Sequence, residues 1–237
     1  MRQVTHGFRI SPRNALLGAA LCWLGAAVVV WALRGGYALA FDREGLLFWR
    51  DETLQPAGPR FLLDLALALT ALGSVLIRNL FALAAVGALV ALRLRREAVL
   101  FALTVAGGWL VNSALKALVG RARPQVVPHL VEASGNSFPS GHSFNGAVVY
   151  IAMALAFAAL SPRAGVRRSL IGAGVAVSLA IAWSRVWLGV HWPTDVVAGW
   201  LAGAGWALLA SALLYRPAKK ISDLSTPEPP SARSRWC

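Results

Sequence analysis

Runs of nearly 20 apolar residues recur along this chain of 237 residues, and that is the length a helix needs to cross a bilayer. They fall at about 15–33, 73–92, 98–115, 144–160, 169–188 and 196–214. A segment in lipid must satisfy its own backbone hydrogen bonds, so such runs fold as helices. The expectation is an all-α polytopic membrane bundle of about six transmembrane helices. Composition agrees, with 57% hydrophobic and only 14% charged residues, more apolar than a soluble domain.

The net charge of +13 does not point to nucleic acid, because the cations cluster in short loops between apolar runs. Residues 1–14, 93–97, 162–168 and 216–237 carry net charges of +3, +2, +3 and +3, whereas 34–64 carries −1 and 184–195 carries zero. The positive-inside rule then puts both termini in the cytoplasm and the 34–64, 116–142 and 184–195 segments outside. Six spans satisfy that alternation. One outer segment breaks the rule: 116–142 holds Lys116, Arg121 and Arg123 against only Glu132. Cations kept on the unfavourable side imply an anionic ligand.

Three parts follow along the chain. Residues 1–57 form an N-terminal segment with the first span and an outer loop. Residues 58–215 form the membrane-embedded core, and the Pro-, Ser- and charge-rich 216–237 reads as a disordered cytoplasmic tail. Ala38-Leu39-Ala40 resembles a signal-peptidase site, but the 19-residue apolar run before it exceeds the roughly 7–15 of signal peptides, so it reads as a span. Residues 58–72 read as an interfacial helix on the outer surface, leading into the second span. Cys22 and Cys237 support neither a disulfide framework nor a Cys-based zinc site, and the four histidines include no H-x-x-x-H pair. No metal or cofactor is expected.

Chemistry-bearing residues collect in three stretches at span ends. In Ser184 to Asp195 (SRVWLGVHWPTD), Pro193 suits the first helical turn, which puts His191 just before a helix and Asp195 within its first turn. A carboxylate accepting the Nδ1 proton leaves Nε2 as a nucleophile. Arg185 can grip phosphate oxygens; alone it would read as a snorkelling arginine. In Pro139 to His142 (PSGH), a helix N-terminus offers free amides to an oxyanion, Gly141 allows close approach, Ser140 adds a hydroxyl, and His142 can move a proton. In Lys116 to Pro124 (KALVGRARP), Lys116 and Arg123 can clamp developing negative charge. Arg121 reads chiefly as an interfacial anchor, and His129 and Glu132 as solvated or substrate-adjacent. Trp187, Trp192 and Trp200 read as interfacial or packing aromatics. Gly199 and Gly203 give a G-x-x-x-G spacing for close helix packing.

Lysine, six residues, Arg-Pro; then Pro-Ser-Gly-His; then Ser-Arg, five residues, His, three residues, Asp. This ordered set resembles the three-part signature of the type-2 phosphatidic acid phosphatase superfamily, which includes lipid phosphate phosphatases and vanadium haloperoxidases. The resemblance spans about 98–214 closely and the N-terminal third only in general layout. It implies His191 as the nucleophile forming a phosphohistidine, Asp195 as its orienting partner and His142 as general acid and base. Lys116, Arg123, Ser140, Gly141 and Arg185 would bind the phosphate, without a metal. It further implies a bacterial inner-membrane enzyme with its site on the periplasmic or extracellular face, acting on a membrane lipid phosphate, with undecaprenyl pyrophosphate the first candidate. Phosphatidylglycerophosphate, phosphatidate, lipid A and transfer to a lipid acceptor are the alternatives. A transporter is disfavoured, because the charges sit at span ends and no repeat is evident.

Overall fold

The computed structural model describes residues 11–214, and the expected tail at 216–237 lies outside them. Eight helices follow in order: α1 Pro12–Arg34, α2 Leu39–Leu47, α3 Phe61–Gly73, α4 Val75–Ala91, α5 Arg95–Val119, α6 Gly141–Ala158, α7 Ala164–Trp187 and α8 Pro193–Leu214. Five of them (α1, α5, α6, α7, α8) are long and apolar enough to cross a membrane; α3 and α4, bent by 54° at their junction, make a sixth if counted as one broken span. The expected all-α membrane bundle is what the chain forms.

Helix ends fall where local chemistry puts them. Ser11 caps α1, accepting from the Asn14 amide at 3.2 Å, with Pro12 in the first turn. Ser74 breaks α3 from α4: its backbone is extended and its hydroxyl caps the new helix. Gly120 ends α5 in the left-handed conformation, with φ 62°.

α6 is the central helix, buried along most of its length and packed on α5, α7 and α8. Phe144, Ala147 and Val148 fill its faces. α1 packs chiefly on α8 and otherwise exposes leucines, as a lipid-facing helix does. Gly199 and Gly203 bring α8 onto α6: a Cβ at Gly199 would lie 2.9 Å from the Ser140 carbonyl oxygen, and one at Gly203 would overlap the Phe144 carbonyl. The glycine spacing therefore marks real backbone contact.

One element differs from the sequence expectation. α2 was not anticipated, because nine residues carrying Asp42, Arg43 and Glu44 show no apolar face long enough to recognise. The helix expected at 58–72 runs from Phe61 to Gly73, and it packs against α7 and α6. Its end meets His142: a Cβ at Gly73 would sit 2.8 Å from the His142 Cδ2.

Candidate active site

Three helix starts and ends converge. α5 ends and its following loop brings Lys116, Arg121 and Arg123; α6 begins with His142; α7 ends with Arg185 and leads through His191 into α8. His191 is 2% exposed and Asp195 fully buried. Asp195, in the first turn of α8, accepts the Trp192 amide at 3.1 Å, a capping contact that fixes its carboxylate over the turn holding His191.

Hydrogen-bond logic sets the His191 tautomer. Arg123 Nη1 lies 3.1 Å from Nε2, and a guanidinium can only donate, so Nε2 is the acceptor. The ring proton is then on Nδ1. Ser137 Oγ lies 3.2 Å from Nδ1 and itself donates a short hydrogen bond to Asp195 Oδ2. The direct separation from Nδ1 to Asp195 Oδ2 is 3.6 Å. The orienting carboxylate therefore reaches the ring chiefly through a serine hydroxyl. Burial pushes the His191 imidazolium down to about 4; the Asp195 contact opposes this, and Arg123 and Arg185 add to it. The ring is thus neutral at physiological pH, the form a nucleophile requires.

Arg121 is not an interfacial anchor. Its Nη1 donates to Asp195 Oδ1 at 2.7 Å and to the Thr194 hydroxyl at 2.8 Å, and its Nη2 donates to Asp42 Oδ2 at 2.6 Å. Asp42, 1% exposed, also accepts the Thr194 amide at 2.9 Å and the Thr194 hydroxyl at 2.7 Å. The short α2 thereby caps α8 from outside and anchors the arginine that holds Asp195. Sequence reasoning missed Asp42, whose partners lie 79 and 152 residues away. It also missed Ser137, three residues before Ser140.

Among the described residues the remaining cations meet neutral acceptors. Lys116 Nζ donates to the Asn136 carbonyl at 2.6 Å, and Lys116 lies beside Gly141, whose Cβ would be 3.6 Å from Lys116 Cε. Arg123 also donates to the carbonyls of Val190, Gly135 and Ser134. Arg185, buried, donates to the Thr70 hydroxyl at 2.6 Å, and its Nε has no partner. His142 opens α6 next to Gly141, which Lys116 approaches, and its ring packs on Gly73 at the end of α3. Ser140 is fully buried, and its oxygen caps α6, accepting from the Ser143 hydroxyl at 2.9 Å. His129 bonds the Pro124 carbonyl and Glu132 is exposed, both in the loop above. Trp187 is a buried packing residue, and Trp192 stacks against the Arg121 guanidinium at 5.1 Å. Among the described residues no three His, Cys, Asp or Glu side chains gather as metal ligands. The inward-facing groups are donors, which suit an anion.

The family model of the PAP2 superfamily matches residues 97–218, half of the chain. The chain belongs to the PAP2 superfamily. It is 38% identical over 127 residues to a lipid A 1-phosphatase of Rhizobium etli, covering 50% of each chain. It is 41% identical over 96 residues to phosphatidylglycerophosphatase B of Bacillus subtilis, covering 40% of this chain and 46% of that protein. It is 34% identical over 90 residues to an undecaprenyl-diphosphatase of Sulfolobus acidocaldarius, covering 37% and 39%. The chain thus spans about half or less of these relatives. The fold matches the crystal structure of a transmembrane PAP2 type phosphatidylglycerolphosphate phosphatase from Bacillus subtilis, with TM-score 0.73 and 24% identity over 81% of this chain and 94% of that one. That likeness extends the PAP2 fold beyond the matched region into the N-terminal helices.

Proposed function

We propose that this protein is an integral-membrane lipid phosphatase working through a phosphohistidine on His191. One observation carries the reading: a buried, neutral imidazole presents Nε2 to a donor-only arginine, while its Nδ1 proton rests on Ser137 and, through it, on Asp195. On binding, phosphate oxygens replace Nε2 as acceptors for Arg123 and supply the missing partners of Arg185 and Lys116. The Nε2 lone pair attacks phosphorus and the bond to the lipid oxygen breaks. His142, protonated, gives that oxygen its proton. The new imidazolium charge is stabilised by Asp195. Water, losing a proton to His142, then attacks the phosphohistidine, releasing phosphate and restoring the lone pair. Gly141 and the start of α6 offer backbone amides to the transferring group. The Ser140 oxygen accepts the capping bonds of α6, which leaves its hydroxyl proton for a phosphate oxygen.

Relatives named for lipid A, phosphatidylglycerophosphate and undecaprenyl diphosphate support the reaction class. Within that class our first choice is undecaprenyl pyrophosphate. The loop charges support a bacterial inner-membrane protein with cytoplasmic termini and the site on the outer face. Residues 58–215 would carry the core chemistry, with 1–57 contributing through Asp42.

The test is phosphate release by purified protein in detergent, with EDTA, across those lipids and phosphatidate. Turnover of at least one is expected, falling by about 10³-fold or more in His191→Ala. Comparable turnover in the variant overturns the mechanism, and silence across all lipids overturns the activity.

A further inference from the structure

The three-part signature leaves unexplained a buried cation beside the site. Arg78 sits in the first turn of α4, just past the 54° break, and is 6% exposed. Its Nη1 makes a long bond of 3.4 Å to the Gly73 carbonyl, and among the described residues no carboxylate pairs with it. A guanidinium carries five donors and cannot shed its charge in a protein, so burial with one weak bond is unfavourable by itself. In a membrane segment an unmatched ionisable group marks a ligand or a pathway. Arg185 is the closest parallel. It too is buried, lacks a carboxylate and bonds one neutral oxygen, and its position in the signature assigns it to phosphate.

The position of Arg78 says which anion. Gly73, whose carbonyl receives Arg78, packs against the His142 ring: a Cβ there would fall 2.8 Å from Cδ2. The Arg78 charge acts on that ring as well. Arg78 therefore stands beside His142, the proton donor to the leaving oxygen, whereas Arg123 stands on the nucleophile. A phosphomonoester leaves as a neutral alcohol and puts no charge at that place. A lipid diphosphate leaves as a lipid monophosphate, whose phosphate carries the leaving oxygen itself. Tyr150 on α6 and the exposed Phe81 on α4 are in ring contact nearby, and the Tyr150 hydroxyl donates to the Leu72 carbonyl.

We propose that Arg78 binds the phosphate retained by the leaving lipid and makes the site selective for lipid diphosphates. This rests on the phosphatase reading. As His191 Nε2 takes the terminal phosphoryl group, the bridging P–O bond breaks. The electrons stay on the retained phosphate, where Arg78 holds the added charge and His142 supplies the proton.

The experiment compares kcat/KM for an isoprenyl diphosphate and the monophosphate of the same isoprenol, in wild type, Arg78→Gln and Arg78→Lys. Wild type should favour the diphosphate. Arg78→Gln should lose about 10- to 100-fold more on the diphosphate than on the monophosphate, the range expected for hydrogen bonds to a charged group. Arg78→Lys should recover much of that difference. Equal losses on both lipids, or no loss on either, overturn the role of Arg78, while wild type inert toward both overturns the phosphatase reading instead. A measurement on wild type alone covers a variant that does not fold. Competition by a non-hydrolysable isoprenyl methylenediphosphonate against the matching monophosphonate should favour the former at least tenfold, and equal affinities refute the proposal.

Discussion

The two sides of His191 are built on opposite principles. Behind it, charges are paired within the protein: Arg121 bridges Asp42 and Asp195, Ser137 fills the space between carboxylate and imidazole, and Thr194 closes the network. In front, Lys116, Arg123, Arg185 and Arg78 bond carbonyls, a hydroxyl or the imidazole, and among the described residues pair with no carboxylate. Paired groups gain rigidity from one another, whereas a cation held by neutral oxygens keeps its field for a ligand. The rear orients and the front waits.

The largest expected break is at the rear. Arg121→Ala leaves two buried carboxylates without their cation and should cost about 3–5 kcal/mol of stability, read as a lowered melting temperature in detergent. Turnover should fall with it, because Asp195 loses the contact on Oδ1. A melting temperature within a degree or two of wild type would mean the network is ornamental.

Ser137→Ala is gentler and cuts only the link between ring and carboxylate. It should lower kcat by about 10- to 100-fold with little change in KM, since the hydroxyl acts on the forming imidazolium and not on bound substrate. A change confined to KM would place Ser137 at the front instead.

The smallest effect is with pH and sharpens the contrast. His191 is faced by Asp195, Arg123, Arg185 and His142, and burial holds its ring neutral down to about 4. In the unfolded chain it takes a proton near its ordinary 6.5. The unfolded state therefore binds more protons between those values, and stability should decline as pH falls through that window. Relative to a His191→Gln variant, wild type should lose melting temperature between pH 6.5 and 4. Parallel curves would show that the ring is solvated.

The spans were legible because lipid writes a strong one-dimensional signal, and the six apolar runs became α1, α4 and α5 to α8. The signature residues were legible because each lies at a span end, where a polar group stands out. Asp42 and Arg121 were not, since neither shows its importance until a fold brings them together across 79 residues. Arg121 carried a misleading signal besides, because a lone arginine at a span end usually anchors the interface. Ser137 stood next to the signature, but a serine there gives no hint that the carboxylate needs an intermediary. Thr70 and Arg78 depended on the bend at Ser74, which hydropathy does not record.

The glycines of α8 carry a last implication, for how this scaffold can change. Because Gly199 and Gly203 let α8 touch the α6 backbone, His142 at the start of one rod and His191 before the other are held apart by a close contact of main chain. The Ser143 and Ala147 Cβ atoms crowd the same contact, so an added methyl at either glycine would spread the two helices. The exposed outer loop around His129 and Glu132 has no such constraint. Selection can rework that border residue by residue while the glycine contact at the centre holds the two helices in place.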